Sequence, residues 1–208
     1  MTETFPAARI LKICGITNQE DADAAMEGGA TALGFNFYAR SPRYVTPEQA
    51  ARILSRPGVR RVGVFVNESR ARVEEIARVA SLHVAQLHGD ESPAEYPAAM
   101  GVWKAARVDA GFDVARFENC PVEALLLDGP AAELYGGAGR TFDWGLANTS
   151  ARRIILAGGL DASNVAQAIV LARPWGVDAC SRIESAPGKK DHRKMNDFLQ
   201  AAKAALWS

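Results

Sequence analysis

Four places in this chain put a chemically capable side chain or turn where a site is commonly built. The first is Lys12-Ile13-Cys14-Gly15-Ile16-Thr17, where a short apolar run ends in a thiol and a Gly-Ile-Thr turn follows. The acidic Gln19-Glu20-Asp21-Ala22-Asp23-Ala24 next to it reads as the first turn of a helix. A thiol at the C-terminal tip of a strand, just before a helix, sits where parallel α/β sheets place their chemistry. Its acid–base state is also easily tuned by its surroundings. The same position equally suits an inert packed thiol, because free cysteines are among the most buried residues. The second is Asp128, which follows Leu125-Leu126-Leu127 and precedes Gly129. A carboxyl held against an apolar strand end has a raised pKa and suits a general acid; an aspartate before glycine also serves as a plain turn cap.

Ala157-Gly158-Gly159-Leu160, followed by a helix start, is the third. Its exposed backbone N–H groups suit an anion, and its late position favours phosphate over a merely tight turn. The fourth is His88 in Gln86-Leu87-His88-Gly89-Asp90, which either hydrogen-bonds a substrate or fixes its own loop. His192, in the charged run that opens the last helix, is expected to be solvated.

Strands and helices must alternate to position these groups. Short apolar runs predict strands over Arg9–Cys14, Ala32–Phe37, Arg61–Val66, His83–Leu87, Val102–Ala106, Ala124–Leu127, Arg153–Leu156 and Gly176–Ala179. Their length and uniform apolarity fit strands buried on both faces. Between them lie helix signals. Thr46-Pro47 is a cap followed by a first-position proline. Val73, Ile76 and Ala80 share one helical face. Asp161 is expected to open a helix running to about Ala172, and Asp191 another with Met195, Phe198, Leu199 and Ala202 inward. The fifth and sixth connections, and residues in the 130s above all, lack a clear helical period.

Eight strands over 208 residues leave a closed (β/α)8 TIM barrel or an open doubly wound sheet. The first turn carries no G-x-G-x-x-G, and the Gly-rich turns fall late, so the barrel is preferred. One barrel domain over residues 1–208 is expected, without an internal linker or repeat. Lys plus Arg total 24 and Asp plus Glu 24, which argues against nucleic acid as a partner. The 3 cysteines, Cys14, Cys120 and Cys180, have no metal-ligand spacing and read as reduced thiols of a cytoplasmic protein. No secretory signal is recognised and no stretch is long enough to cross a bilayer, so no membrane partner is expected.

In a barrel the strand ends ring one mouth. Read in order they bring Cys14, Asn36, Asn67, Gln86 with His88, Lys104 with Arg107, Asp128, Gly158-Gly159, and Asp178 to Arg182. Strands one and six lie three steps apart, which places Cys14 and Asp128 to flank a bound molecule.

Taken together, these segments resemble phosphoribosylanthranilate isomerases. The likeness is carried by Lys12–Thr17, Ser41-Pro42-Arg43-Tyr44-Val45, Val62–Asn67, Gln86–Gly89, Leu126–Asp128, Gly136–Trp144, Leu156–Leu160 and Glu184-Ser185-Ala186-Pro187-Gly188, all in the family's order. It implies a cofactor-free, metal-free isomerase of tryptophan biosynthesis. Such an enzyme converts N-(5′-phosphoribosyl)anthranilate to 1-(2-carboxyphenylamino)-1-deoxyribulose 5-phosphate by an Amadori rearrangement. By motif position the resemblance puts the general base on Cys14 and the general acid on Asp128. It puts the anthranilate-carboxylate contact on Arg43, and the phosphate loops on Gly158-Gly159 and the segment after Asp178. Substrate contacts are thus expected at Arg43, His88, Gly158, Gly159, Asp178, Ser181 and Arg182. The expected partner is one small phosphorylated substrate, in a monomer or homodimer.

One segment departs from the pattern. Where the family commonly reads Asp-x-Ser-Ser-Gly-Val-Glu, this chain reads Asp178-Ala179-Cys180-Ser181-Arg182-Ile183-Glu184. The guanidinium of Arg182, at the tip of strand eight, either supplements the phosphate cradle or points away to Glu184 or solvent. Other readings fit less well. A ribulose-phosphate epimerase calls for metal-binding His and Asp pairs, and an indole-glycerol-phosphate synthase for a lysine acid with catalytic glutamates. A metabolite-sensing barrel has no use for Cys14 and Asp128 together.

Overall fold

Short apolar runs buried on both faces can satisfy their backbone only by pairing with one another. In a computed structural model, which describes residues 9–129 and 142–207, they do so as eight strands. These are β1 (Ile10–Cys14), β2 (Ala32–Asn36), β3 (Arg60–Phe65), β4 (Val84–Leu87), β5 (Gly101–Arg107), β6 (Ala124–Asp128), β7 (Ile154–Leu156) and β8 (Gly176–Ala179). Every end falls within one residue of its sequence-predicted place. The strands pair in parallel in chain order, and β8 returns to β1 to close the barrel.

Helices cover the outside where the sequence supplies caps. α1 (Gln19–Glu27) starts at Asn18, whose side chain accepts from the Asp21 amide at 2.8 Å. α2 (Pro47–Arg52) has a reciprocal Thr46–Gln49 capping box, and α3 (Arg70–Ala80) buries Val73, Ile76 and Ala80 as predicted. α4 (Val165–Ala172) and α5 (His192–Leu206) complete the set, and α5 packs against both α1 and α4. A two-stranded hairpin of β9 (Glu184–Ala186) and β10 (Lys189–Lys190) precedes α5.

Two expectations need correction. Helical segments do not fill every connection: after β4, β5 and β6 the described residues carry only 3-10 turns, at Pro93–Glu95, Val114–Phe117 and Trp144–Thr149. The first of these stops after one turn because Pro97 holds Tyr96 extended, at φ −70° and ψ 140°. The segment Asp161-Ala162-Ser163-Asn164 leads into α4, which ends at Ala172 as expected, but as a turn and cap and not as its first helical turn: Asn164 is the N-cap and the helix begins at Val165. The Asp161 amide donates to Asn164 Oδ1 at 3.0 Å while Asp161 Oδ1 accepts from the Ser163 amide at 2.9 Å. These local bonds make a turn in place of the first helical turn. Residues 130–141 lie outside the described residues, and with them the Gly136–Thr141 part of the family-like motif.

Alternate residues of each strand point inward. Ile10, Ala32, Val62, Val84, Trp103, Ala124, Leu126 and Ile155 fill the barrel with one apolar cluster. The opposite faces pack under the helices, and one polar group there is structural. Arg61 of β3 is 6% exposed and donates to Ala80 O at 3.0 Å, Ile53 O at 2.6 Å and Ala50 O at 2.7 Å. Its guanidinium also lies 4.6 Å from the Phe35 ring centroid. One cation thus satisfies carbonyls at the C-terminal ends of α2 and α3. Arg61→Met should cost about 3 kcal/mol and roughly 10 °C in Tm, because it removes the guanidinium's bonds to three carbonyls, of which Ala50 O keeps only the Ile53 amide at 3.1 Å. Urea unfolding will check this, and a loss below about 1 kcal/mol would show the carbonyls re-solvate freely.

Candidate active site

The closure of β1 on β8 builds the reactive end of the cavity. Lys12 stands opposite Asp178 in the strand register, and Lys12 Nζ lies 2.9 Å from Asp178 Oδ2. The lysine is fully buried and the aspartate 7% exposed. Asp178 Oδ1 has no hydrogen-bond partner among the described residues. Burial pushes the Asp178 carboxyl up to about 7, against the pull of Lys12.

Two residues further along the same inward faces come Cys14 and Cys180. Cys14 is buried, on the cavity wall it shares with Cys180 and Asp178. The Cys180 hydrogen bond and the Lys12 charge hold the Cys14 thiol well below its ordinary value, although burial acts the other way. Cys180 is pushed well up by the same hydrogen bond and by burial. Gly34 of β2 makes room for this cluster. A Cβ there would lie 2.9 Å from Cys14 Sγ and 3.0 Å from Lys12 Nζ.

Asp128 ends β6 on the far side of the same cavity. Burial, and then the negative charge of Cys14, raise its carboxyl to about 6; Arg107 and Lys12 pull it down. Behind it Gly158 has φ +78° and Gly159 φ +67°. A Cβ on Gly158 would stand 2.7 Å from Asp128 Oδ1, so a glycine is required by contact as well as by φ. Asn164 Nδ2 holds Gly159 O at 2.8 Å, which fixes the turn.

At the rim, Arg43 forks onto Glu184: Nε to Oε1 at 2.9 Å and Nη2 to Oε2 at 2.7 Å. Lys190 Nζ takes the same Glu184 Oε1 at 2.8 Å. Against burial, Arg43 and Lys190 keep Glu184 below the usual carboxylate range. Arg182 does not pair with Glu184, which is already occupied. Its Nη1 lies 3.4 Å from Asp161 Oδ2, and its side chain is half exposed. His192, expected to be solvated, instead places Nε2 2.8 Å from Asp21 Oδ1.

His88 touches Gln86 through Nε2 and the amide nitrogen, while Gln86 Oε1 has no partner among the described residues. Desolvation, with Lys12, Lys104 and Arg107 nearby, lowers its pKa to about 3, so the ring is neutral near pH 7. A neutral ring that accepts from Gln86 at Nε2 carries its proton on Nδ1.

Cys14, Arg43, His88, Asp128, Gly158, Gly159, Asp178, Ser181 and Arg182 all line this one cavity. Asn67, Lys104 and Arg107, expected on the same ring, do not. Glu91 draws Lys104 aside, accepting from its Nζ at 2.7 Å, while the Asn67 side chain accepts from the Asp90 amide at 2.7 Å. Sequence reasoning gave no role to Lys12 or Cys180. The signal was present: a lysine inside an apolar strand, two residues before a thiol, needs a buried partner. Chemically, the cavity opposes a thiol biased towards thiolate to a carboxyl biased towards its neutral form. One can take a proton from, and the other give a proton to, the same small molecule.

A family profile described as N-(5′phosphoribosyl)anthranilate (PRA) isomerase matches residues 11–201. The N-(5′-phosphoribosyl)anthranilate isomerase of Solibacter usitatus is 73% identical over 197 residues, covering 95% of this chain and 98% of that protein. Among solved structures, the phosphoribosyl anthranilate isomerase of Thermotoga maritima superposes with a TM-score of 0.86 at 42% identity, covering 94% of this chain and 99% of that one. A phosphoribosyl anthranilate isomerase in complex with reduced 1-(o-carboxyphenylamino)-1-deoxyribulose 5-phosphate gives a TM-score of 0.82 at 40% identity, with 94% and 99% covered.

The neutral His88 yields a direct test. Between about pH 6.5 and 3 the unfolded chain binds a proton at this position that the folded chain refuses, so His88 makes stability fall as pH is lowered through that window. An NMR titration of the imidazole should show His88 still neutral at about pH 5. An ordinary midpoint near 6.5 would mean that the ring is solvated.

Proposed function

The chain belongs to the N-(5′-phosphoribosyl)anthranilate isomerase family, and from that premise we propose how its side chains divide the reaction. The enzyme isomerises N-(5′-phosphoribosyl)anthranilate in tryptophan biosynthesis, an internal exchange of oxidation state between the two sugar carbons next to the amine. Asp128, protonated, gives its proton to the ribose ring oxygen as the C1′–O bond opens. The iminium left at C1′ acidifies the C2′ proton, and the Cys14 thiolate removes it. The resulting enol amine tautomerises to the 1-amino-2-ketose.

The observation that carries this reading is the opposed tuning across the cavity: Cys14 is pulled down, Asp128 is lifted to about 6, and the charge of Cys14 contributes to that lift. Lys12 acts as a positioning residue that offers the thiolate a fixed counter-charge. Substrate phosphate fits the Gly158-Gly159 turn, with Ser181 and Arg182 beside it. The unpartnered Asp178 Oδ1 suits a sugar hydroxyl. Arg43, aimed by Glu184 through Nε and Nη2, offers its remaining face to the anthranilate carboxylate. His88 borders the sugar as a neutral hydrogen-bonding ring. A cytoplasmic monomer or homodimer fits this chemistry; the Thermotoga maritima relative is described as dimeric.

Loss of the fluorescence of phosphoribosylanthranilate measures the activity, and a purified enzyme without turnover would refute the assignment. Cys14→Ala and Asp128→Asn should each lower kcat by about 10²–10⁴ with little change in KM, and Cys14→Ser should be nearly as damaging. The base needs pH above the lowered Cys14 value, and the acid needs pH below that of Asp128. In the wild type, kcat/KM should therefore rise through the first and fall through the second, near pH 6 in the free enzyme. Asp128→Asn should abolish the falling limb; an unchanged profile removes Asp128 from the role. Arg182→Ala should raise KM several-fold, more at low salt where an exposed charge is less screened. An unchanged KM at both ionic strengths leaves the phosphate to the loop backbone alone.

A further inference from the structure

The strand register that pairs Lys12 with Asp178 also brings two thiols together. Cys14 follows Lys12 by two residues on β1, and Cys180 follows Asp178 by two residues at the end of β8. The last paired residues there are Ile13 and Ala179, and each cysteine is the next residue beyond that pair, Cys180 at the start of the 3-10 turn Ser181–Ile183. Positions opposed on neighbouring strands lie about 4.8 Å apart, inside the Cα separation of about 4.4–6.8 Å that a disulfide accepts. Both residues line the cavity. Both are free thiols here. We propose that Cys14 and Cys180 form a redox modification site, in which a hydroperoxide converts the pair to a reversible disulfide that closes the active site.

The chemistry balances. The Cys14 thiolate attacks one peroxide oxygen, the O–O bond breaks, and the departing hydroxide takes a proton to become water. Sulfur is oxidised by two electrons to the sulfenic acid and the peroxide is reduced. Cys180 then attacks that sulfur, an S–S bond forms, the S–O bond breaks, and the Cys180 proton leaves with the hydroxyl as a second water. A dithiol reductant reverses the disulfide by exchange. Lys190 assists the second step electrostatically, since its Nζ lies 4.0 Å from Cys180 Sγ. Both cysteines line a cavity large enough to hold a molecule the size of hydrogen peroxide. The third thiol, Cys120, takes no part; it lies 3.5 Å from the Tyr96 hydroxyl, away from the cavity. That the disulfide stops turnover rests on the reading of Cys14 as the base; that it forms rests on the seam alone.

The test uses the full-length enzyme, reduced and then freed of thiols, treated with hydrogen peroxide and quenched by alkylation under denaturing conditions. Expected is a protein lighter by two hydrogens, a Cys14–Cys180 cross-linked peptide, and turnover that falls in proportion to the cross-linked fraction and returns with dithiothreitol. Cys120→Ser should behave like the wild type. Cys180→Ser, referred to its own reduced rate, should lose activity irreversibly as Cys14 passes to the sulfinic acid. Absence of the cross-link in the wild type overturns the proposal, whatever the variants do, and so does recovery in Cys180→Ser equal to that of the wild type. Cross-linking with undiminished turnover overturns the role of Cys14 as base and leaves the disulfide standing.

Discussion

The buried ion pair between Lys12 and Asp178 is the constraint on which the site depends. It lies where the first strand meets the last, inside the barrel, with both side chains withdrawn from water. Removing either partner of such a pair costs about 3–5 kcal/mol, because the other charge is left stranded. A slip of one residue in the seam would turn Lys12 and Cys14 outwards into the layer under the helices. The pair therefore enforces a register as much as it adds stability. That register sets Cys14 beside Lys12, Gly34 and Cys180 in one stroke. Asp128 joins the same electrostatic system from across the barrel, since the charge of Cys14 raises it and that of Lys12 lowers it.

A second layer holds the rim. Glu184 receives Arg43 from the connection after β2 and Lys190 from the hairpin after β8, so one carboxylate ties two loops across the seam. Arg182 is thereby left to Asp161, in the turn that follows Gly158-Gly159. The rim is thus laced by charge pairs, while the floor of the barrel is apolar up to Leu126 and Trp103. Polar chemistry is confined to one end, as the strand alternation demands.

Much of this was legible in the sequence. Strands buried on both faces announce themselves as short apolar runs, and the barrel followed from where the glycine-rich turns fall. Every residue expected to touch substrate does line the one cavity, because strand ends are easy to locate. Four kinds of feature were harder to see. Asp161 looked like a helix opener, but its side-chain bonds to the next residues compete with helix at short range. Lys12 looked like part of a strand, because a buried charge is recognisable only once its partner 166 residues away is known. Arg182 was left between the phosphate cradle and a turn away to Glu184 or solvent, because nothing in the sequence shows that Arg43 and Lys190 already occupy Glu184 and that Asp161 lies within reach. Asn67 and Lys104 sit at strand ends too, yet the Asn67 side chain accepts from the Asp90 amide and Lys104 pairs with Glu91; strand-end position locates a residue at the mouth but does not aim its side chain.

The location of the reactive thiol at the seam has a consequence for the newborn chain. Cys14 leaves the ribosome well before Asp178, Cys180 and Lys190. At about 5–20 residues per second, on the order of ten seconds or more separate the two events. Throughout that interval the thiol has none of the partners from β8 that lower its pKa, and β1 has an unpaired edge. A partly made chain therefore carries an ordinary cysteine. The partners that lower its pKa arrive only with β8 and the hairpin after it, so the fold itself keeps this thiol quiescent until there is a closed barrel to contain it.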